Sequence, residues 1–105
     1  MRLEWDEQKN RQNIRKHKFD FADVGEMFQG QLLAIPDLCE DYGEDRWIVI
    51  GMIHGMITVA VLVEPERETL RIISLRKATR NEQKQYAKAI QDGLEAPLFD
   101  EGQRH

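Results

Sequence analysis

The sequence predicts an α+β fold in which two N-terminal helices precede an antiparallel meander of three to four strands and one helix closes the chain. Three observations carry that expectation. Cap signals frame two helical stretches between Asp6 and Gly30, β-branched and aromatic runs with short turns fill Leu32 to Arg76, and a capping box opens a last amphipathic segment. With 105 residues, 41% hydrophobic and 32% charged, the chain has the size and composition of one globular domain with a single core.

The elements follow in order. Asp6 caps a helix reaching about His17, with Glu7 favourable in its first turn. That helix is polar, with Ile14 its clearly apolar residue, so Leu3 and Trp5 ahead of it are expected to anchor it. Asp20 caps a second helix in which Phe21, Val24, Gly25 and Phe28 share a stripe, and Gly30 stops it. Leu32 to Ile35 form a short apolar run ended by Pro36. Arg46 to Ile53 (RWIVIGMI) and Met56 to Val63 (MITVAVLV) read as strands. They are joined by a two-residue His54-Gly55 turn, since glycine accepts positive φ and histidine visits it more than most residues. Pro65-Glu66-Arg67-Glu68 then turns into a strand over Thr69 to Arg76 (TLRIISLR), and links this short require antiparallel pairing. Thr79 and Glu82 make the capping box of the closing helix, on which Tyr86, Ile90 and Leu94 share a stripe. Gly93 and Pro97 end it, so 1–93 reads as a single domain and 94–105 as a mobile tail. The resulting architecture packs helices on one antiparallel sheet.

Composition narrows the function. The longest strongly apolar stretch, Met56 to Val63, is far short of the roughly 20 residues that span a bilayer, and the N-terminus lacks the apolar run of a signal peptide. A cytoplasmic protein without a membrane partner is expected. Cys39 is the single cysteine, no Cys/His cluster offers a zinc site, and no glycine-rich phosphate loop is present. Asp37, Glu40, Asp41, Glu44 and Asp45 crowd one loop without the regular spacing of a metal site, so neither metal nor cofactor is expected. The net charge is −4 and the pI about 5.4, yet the charges are unevenly spread. Arg2, Lys9, Arg11, Arg15, Lys16 and Lys18 form one basic group; Arg71, Arg76, Lys77, Arg80, Lys84 and Lys88 form another. Folded onto one face they would give an acidic protein a positive patch. The plainer alternative is two solvated helix faces.

Among titratable side chains, His17 stands out at the end of the polar first helix, in Arg-Lys-His-Lys, because imidazole titrates near neutral pH. The alternative is a residue favoured there by the helix dipole. His54 reads as a turn residue and His105 ends the tail. Arg46, Arg71 and Arg76 lie in or at the ends of apolar strands, where a charge must face solvent, a partner or a ligand. Arg71 and Arg76 are an odd number of residues apart, so an unbroken strand puts them on opposite faces. Sharing one site requires a bulge, or a strand that ends before Arg76. Otherwise Arg71 can form a cross-strand ion pair with Glu64 or Glu66.

The run Leu3-Glu-Trp-Asp-Glu-Gln-Lys9, with Asn13, Lys16-His17 and Phe21-Ala22 after it, resembles the N-terminal signature of BrnT toxins. Glu44-Asp45-Arg46, Ile50-Gly51, Arg71-Ile72-Ile73-Ser74, Arg76-Lys77-Ala78, Glu82 and Tyr86 continue the family pattern in order and spacing, over roughly residues 3 to 88. The chain departs from it at Leu75, where alanine is usual, at Glu64, and in its low pI. The resemblance implies a RelE/ParE-like fold and a metal-independent ribonuclease that cleaves RNA to arrest translation. It also implies neutralisation by a BrnA-type antitoxin, contact with operator DNA only through that antitoxin, and a homodimer or toxin–antitoxin heterotetramer. Carried onto this sequence, it makes His17 the base or acid, and Lys16, Arg46, Arg71 and Arg76 the cations that hold phosphate. Glu44 would orient an arginine, and Lys77 and Tyr86 would meet the substrate; a core role for Tyr86 is the alternative. Two further readings share these residues: a non-enzymatic module that binds an antitoxin and acts in operon autoregulation, and a ParE-like gyrase poison that needs neither His17 nor a phosphate clamp.

Overall fold

The computed structural model describes residues 1–37 and 45–93, and orders them as β1 (Arg2–Glu4), α1 (Glu7–His17), a 3₁₀ helix (Phe21–Gln29), β2 (Leu33–Pro36), β3 (Asp45–Ile53), β4 (Met56–Glu66), β5 (Thr69–Lys77) and α2 (Arg80–Gln91). The expected meander is present, with β2, β3, β4 and β5 paired antiparallel in sequence order. The sheet as a whole is mixed, because β1 lies on the far side of β5 and runs parallel to it, Leu3 opposite Leu70. An element of three residues carries no readable periodicity, and its partner strand is reached only after nearly all the rest of the domain.

The second helix departs from the α-helical expectation. Its buried residues are Phe21, Val24 and Met27, a spacing of three, which a 3₁₀ helix places on one edge. Gly25 and Phe28, which an α-helical stripe would also bury, are left half-buried. Asp20 caps this segment as expected, its carboxylate accepting from the Ala22 amide at 2.9 Å. Where it crosses β3, Gly51 leaves room for Met27; a Cβ at this position would meet Met27 Cβ and Cε at 3.3 Å.

Side-chain alternation divides the core between the two sheet faces. On one face Phe21, Val24 and Met27 pack with Val49, Ala60, Leu62, Ile72 and Leu75, and Leu3 and Trp5 close its margin. On the other, Ile50 and Val59 are covered by Tyr86 and Ile90 of α2, together with Ala78. α1 is held mainly by polar contacts. Its two buried residues are Asn10 and Asn13. Asn10 donates to Asp20 Oδ1 at 2.9 Å and accepts from the Phe21 amide at 2.9 Å.

Asn13 donates to the carbonyls of Leu75 (2.8 Å) and Phe19 (3.0 Å) and accepts from the Leu75 amide at 3.2 Å. Because β1 covers only Thr69 to Arg71, this side chain completes the ladder on the β5 edge, where a neighbouring strand would otherwise pair. The turn residues His54 and Gly55 have φ of 53° and 77°, as the two-residue hairpin requires. α2 has the complete capping box of Thr79 and Glu82. The acidic residues Glu40, Asp41 and Glu44, Leu94 of the expected helical stripe, and residues 94–105 expected as a tail lie outside the described residues.

Candidate functional site

On the face that carries α2, register assembles a line of residues across the sheet. Glu4 lies opposite Arg71, Arg71 opposite Val63, and Val63 opposite Arg46; the Asp37 amide in turn donates to the Arg46 carbonyl at 2.9 Å. Both ends are carboxylates. Arg71 Nε donates to Glu4 Oε2 at 2.8 Å, and Arg46 Nε stands 3.9 Å from Asp37 Oδ2. The pairing with Arg71 pulls the Glu4 carboxyl below its usual range. The partner of Arg71 is therefore Glu4, on an edge strand absent from the sequence reading, and not Glu64 or Glu66.

Arg76 joins this face through a bulge. Val61 pairs with Ser74 and Leu62 with Ile72, which leaves Ile73 as an extra residue in β5. The added residue restores the phase, so Arg71 and Arg76 share a face. A cross-strand row of half-buried Ile35, Ile48, Val61 and Ser74 lies between the row that holds Arg46 and Arg71 and the row that holds Arg76. Arg76 grips Glu82 with both ends of its fork, each contact at 2.8 Å. That bidentate pairing holds the Glu82 carboxyl down at about 2 and raises the Arg76 guanidinium. Glu82 thus serves twice, capping α2 through the Thr79 amide at 2.8 Å and fixing Arg76.

His17 stands elsewhere. It follows Asn13 by one helical turn on the same stripe of α1, which carries it along the β5 edge from Leu75 toward Lys77. There His17, Lys18 and Lys77 line a cleft of about 490 Å³ with His54, Asp20 and Asp23, on an apolar floor of Ile14, Phe19 and Met56. Lys77 pairs with Thr58 and Arg76 with Val59, so these neighbours point to opposite faces. The structure thus brings His17 together with Lys77 in one cleft, and places Arg46, Arg71 and Arg76 on the opposite face of the sheet, Arg46 and Arg71 in one cross-strand row and Arg76 two rows away. Lys16 is exposed on α1 and lines neither group.

Tyr86 is buried in the α2 cluster, where its hydroxyl donates to the Gln31 carbonyl at 2.8 Å and burial raises the phenol. Glu44 lies outside the described residues. The basic faces of α1 and α2 lie on opposite sides of the sheet, so the two basic groups do not merge as a whole; they meet where Lys18 and Lys77 line the cleft. Among the described residues no three His, Cys, Asp or Glu side chains are grouped to hold a metal ion, and no helix is long and apolar enough to cross a membrane.

A family model described as the ribonuclease toxin BrnT of type II toxin–antitoxin systems matches residues 5–82. The chain belongs to the BrnT family. The match encloses His17, Arg46, Arg71, Arg76, Lys77 and Glu82, while Tyr86 lies beyond it. The 1.1 Å crystal structure of the Brucella abortus ribonuclease toxin BrnT is similar in fold, with a TM-score of 0.63 and 33% sequence identity over 76% of this chain and 99% of that one. No curated protein sequence matched. BrnT proteins are ribonuclease toxins of type II systems, which implies RNA as substrate and an antitoxin as partner.

Proposed function

We propose that this BrnT chain is a metal-independent endoribonuclease that arrests translation in the cytoplasm and is neutralised by a BrnA-type antitoxin, through which alone it meets operator DNA. The observation that carries the reading is the cleft at the end of β5, where His17 and Lys77 face a common space. Cleavage without a metal needs a base for the 2′-hydroxyl and a cation for charge developing on phosphorus. His17 supplies the first and Lys77 the second. Arg46, Arg71 and Arg76, across the strand, hold the flanking RNA backbone through planar forks suited to phosphate. The succession of N-terminal helices, meander and closing helix supports a RelE/ParE-like description of the fold.

One observation favours a non-catalytic, antitoxin-binding module: each of the three arginines already faces a carboxylate. Induction of the chain alone separates the readings. The proposed activity stops growth and degrades RNA, co-expression of the adjoining antitoxin restores growth, and the purified protein cleaves RNA equally with and without a chelator. Intact RNA with broken DNA would indicate a gyrase poison. Full growth with abundant soluble protein would indicate the binding module.

A further inference from the structure

Transesterification of RNA moves two protons on opposite sides of the phosphorus: one leaves the 2′-oxygen as it attacks and one reaches the 5′-oxygen as it departs. A single imidazole cannot serve both positions at once. Of the groups lining the cleft, Asp20 is engaged as an acceptor for the Ala22 amide and Asn10 Nδ2, which hold its carboxyl below the usual range. Lys18 Nζ donates to the Arg15 carbonyl at 3.1 Å. Lys77 lines the cleft from β5, and Asp23 stands beside the second imidazole, His54.

His54 enters the cleft from the β3–β4 turn, whereas His17 enters from the end of α1. It is held at several points. Its amide donates to Glu26 Oε2 at 2.9 Å, and its Nε2 stands 3.5 Å from Glu26 Oε1 and 3.8 Å from Asp23 Oδ2, both on the 3₁₀ helix. The backbone of the turn does not by itself require an imidazole: φ of 53° is a conformation that asparagine or glycine also adopts.

We propose that His54 is the second proton-transfer residue of this ribonuclease, an inference that rests on the cleft around His17 being the cleavage site. In the step, the 2′-O–H bond breaks, its proton passes to the neutral His17 ring, and the 2′-oxygen bonds to phosphorus. The bond from phosphorus to the 5′-oxygen breaks and that oxygen takes a proton from the His54 imidazolium. The products are a 2′,3′-cyclic phosphate and a free 5′-hydroxyl, and proton exchange with water resets both rings. Charged as the donor, His54 makes two ion pairs, with Asp23 and Glu26; His17 faces Lys18 and Lys77.

The test is His54→Asn, which keeps a side chain tolerant of positive φ, assayed on an oligoribonucleotide and on the same strand with sulfur replacing the scissile 5′-oxygen. Sulfur departs without protonation. The variant should keep the wild-type Tm and its binding to a 2′-deoxy strand, cleave the oxygen substrate about 10²–10³-fold more slowly, and regain most of that loss on the sulfur substrate. Its pH–rate profile should lose the alkaline limb, where a proton donor empties, and keep the acid limb assigned to His17. Wild-type cleavage by His54→Asn, or slow cleavage that sulfur does not rescue, would overturn the inference and leave the ribonuclease reading standing. A folded wild-type protein that cleaves no RNA would overturn both.

Discussion

The sheet face under α1 and the 3₁₀ helix is sealed, whereas the face under α2 is only half closed. On the first, Phe21, Val24, Val49, Ala60, Leu62 and Leu75 have no exposed surface at all. On the second, Ile50 and Val59 are sealed, but Ile35, Ile48 and Val61 are half-buried, and Arg46, Arg71 and Arg76 keep 20%, 46% and 35% of their side-chain surface exposed. The difference teaches where each kind of stability resides. Apolar burial concentrates on one face, at roughly 25 cal/mol for each Å² removed from water. The other face keeps charges, of which Arg71 and Glu4 are the most hydrated, so pairing those two contributes little and displacing that carboxylate costs little. A polar ligand can exchange with such pairs far more readily than with a buried one.

The sharpest way to break this contrast lies at the joint between the faces. Asn13→Ala would leave the Leu75 amide and carbonyl and the Phe19 carbonyl without the side chain that satisfies them. Each unsatisfied buried group costs about 1–3 kcal/mol, and water reaches part of this edge, so a total loss of about 2–4 kcal/mol is expected in urea unfolding. Hydrogen exchange at Leu75 should accelerate together with it. A loss below about 1 kcal/mol would mean that apolar contacts hold α1 after all.

A smaller effect belongs to the α2 side. Glu82 has its carboxyl lowered from 4.5 to about 2, chiefly by Arg76, so its contribution is whole above pH 4.5 and fades as the pH falls from there through 2. Glu82→Gln retains a side chain able to complete the capping box, and so isolates the charge. The wild-type protein should exceed it by about 1–2 kcal/mol at pH 6, since water screens a pair of this exposure, and the gap should close toward pH 2. A constant gap across that range would assign the difference to the cap and not to Arg76.

Much of this was legible in the sequence because it is local. Asp6, Asp20, Thr79 and Glu82 act within one turn of where they stand, and the His54-Gly55 hairpin is closed by two adjacent residues. What escaped is set by distance or by a single added residue. β1 is three residues long and meets β5 at the other end of the domain, so the sequence points to Glu64 or Glu66 as carboxylates for Arg71 and does not show Glu4. The odd spacing of Arg71 and Arg76 raised the need for a bulge, but which residue is extra depends on the pairing with β4. The 3₁₀ helix had a signal in the spacing of three among Phe21, Val24 and Met27, masked by Phe28 at an α-helical position. Asn10 and Asn13 lie in a helix that looks merely polar, because a buried amide and an exposed one look alike until the Phe21 amide and the β5 edge they bond to are in place. His54 was legible as a turn residue; its neighbourhood with His17 was not.

The smallest effect is the one that tests what the open face does. Arg71 meets Glu4 in a pair whose side chains are 46% and 30% exposed, and water screens such a surface pair strongly. Arg71→Ala should therefore leave unfolding within about 0.5 kcal/mol of wild type. Its effect on RNA is of another kind. If Arg71 neutralises one phosphate, its removal lowers the slope of log affinity against log salt by about 0.7 on a single strand, whatever the base sequence. Glu4→Gln should act in the opposite sense, since it removes the carboxylate that competes with phosphate for the same guanidinium, and RNA should bind more tightly at low salt. The two variants are informative together. If the face binds RNA, they displace affinity in opposite directions while both leave stability nearly untouched. If the arginines serve only to close the sheet margin with Glu4 and Asp37, both variants shift unfolding slightly and neither moves the salt slope, and the RNA contacts must then lie wholly on the His17 side of β5.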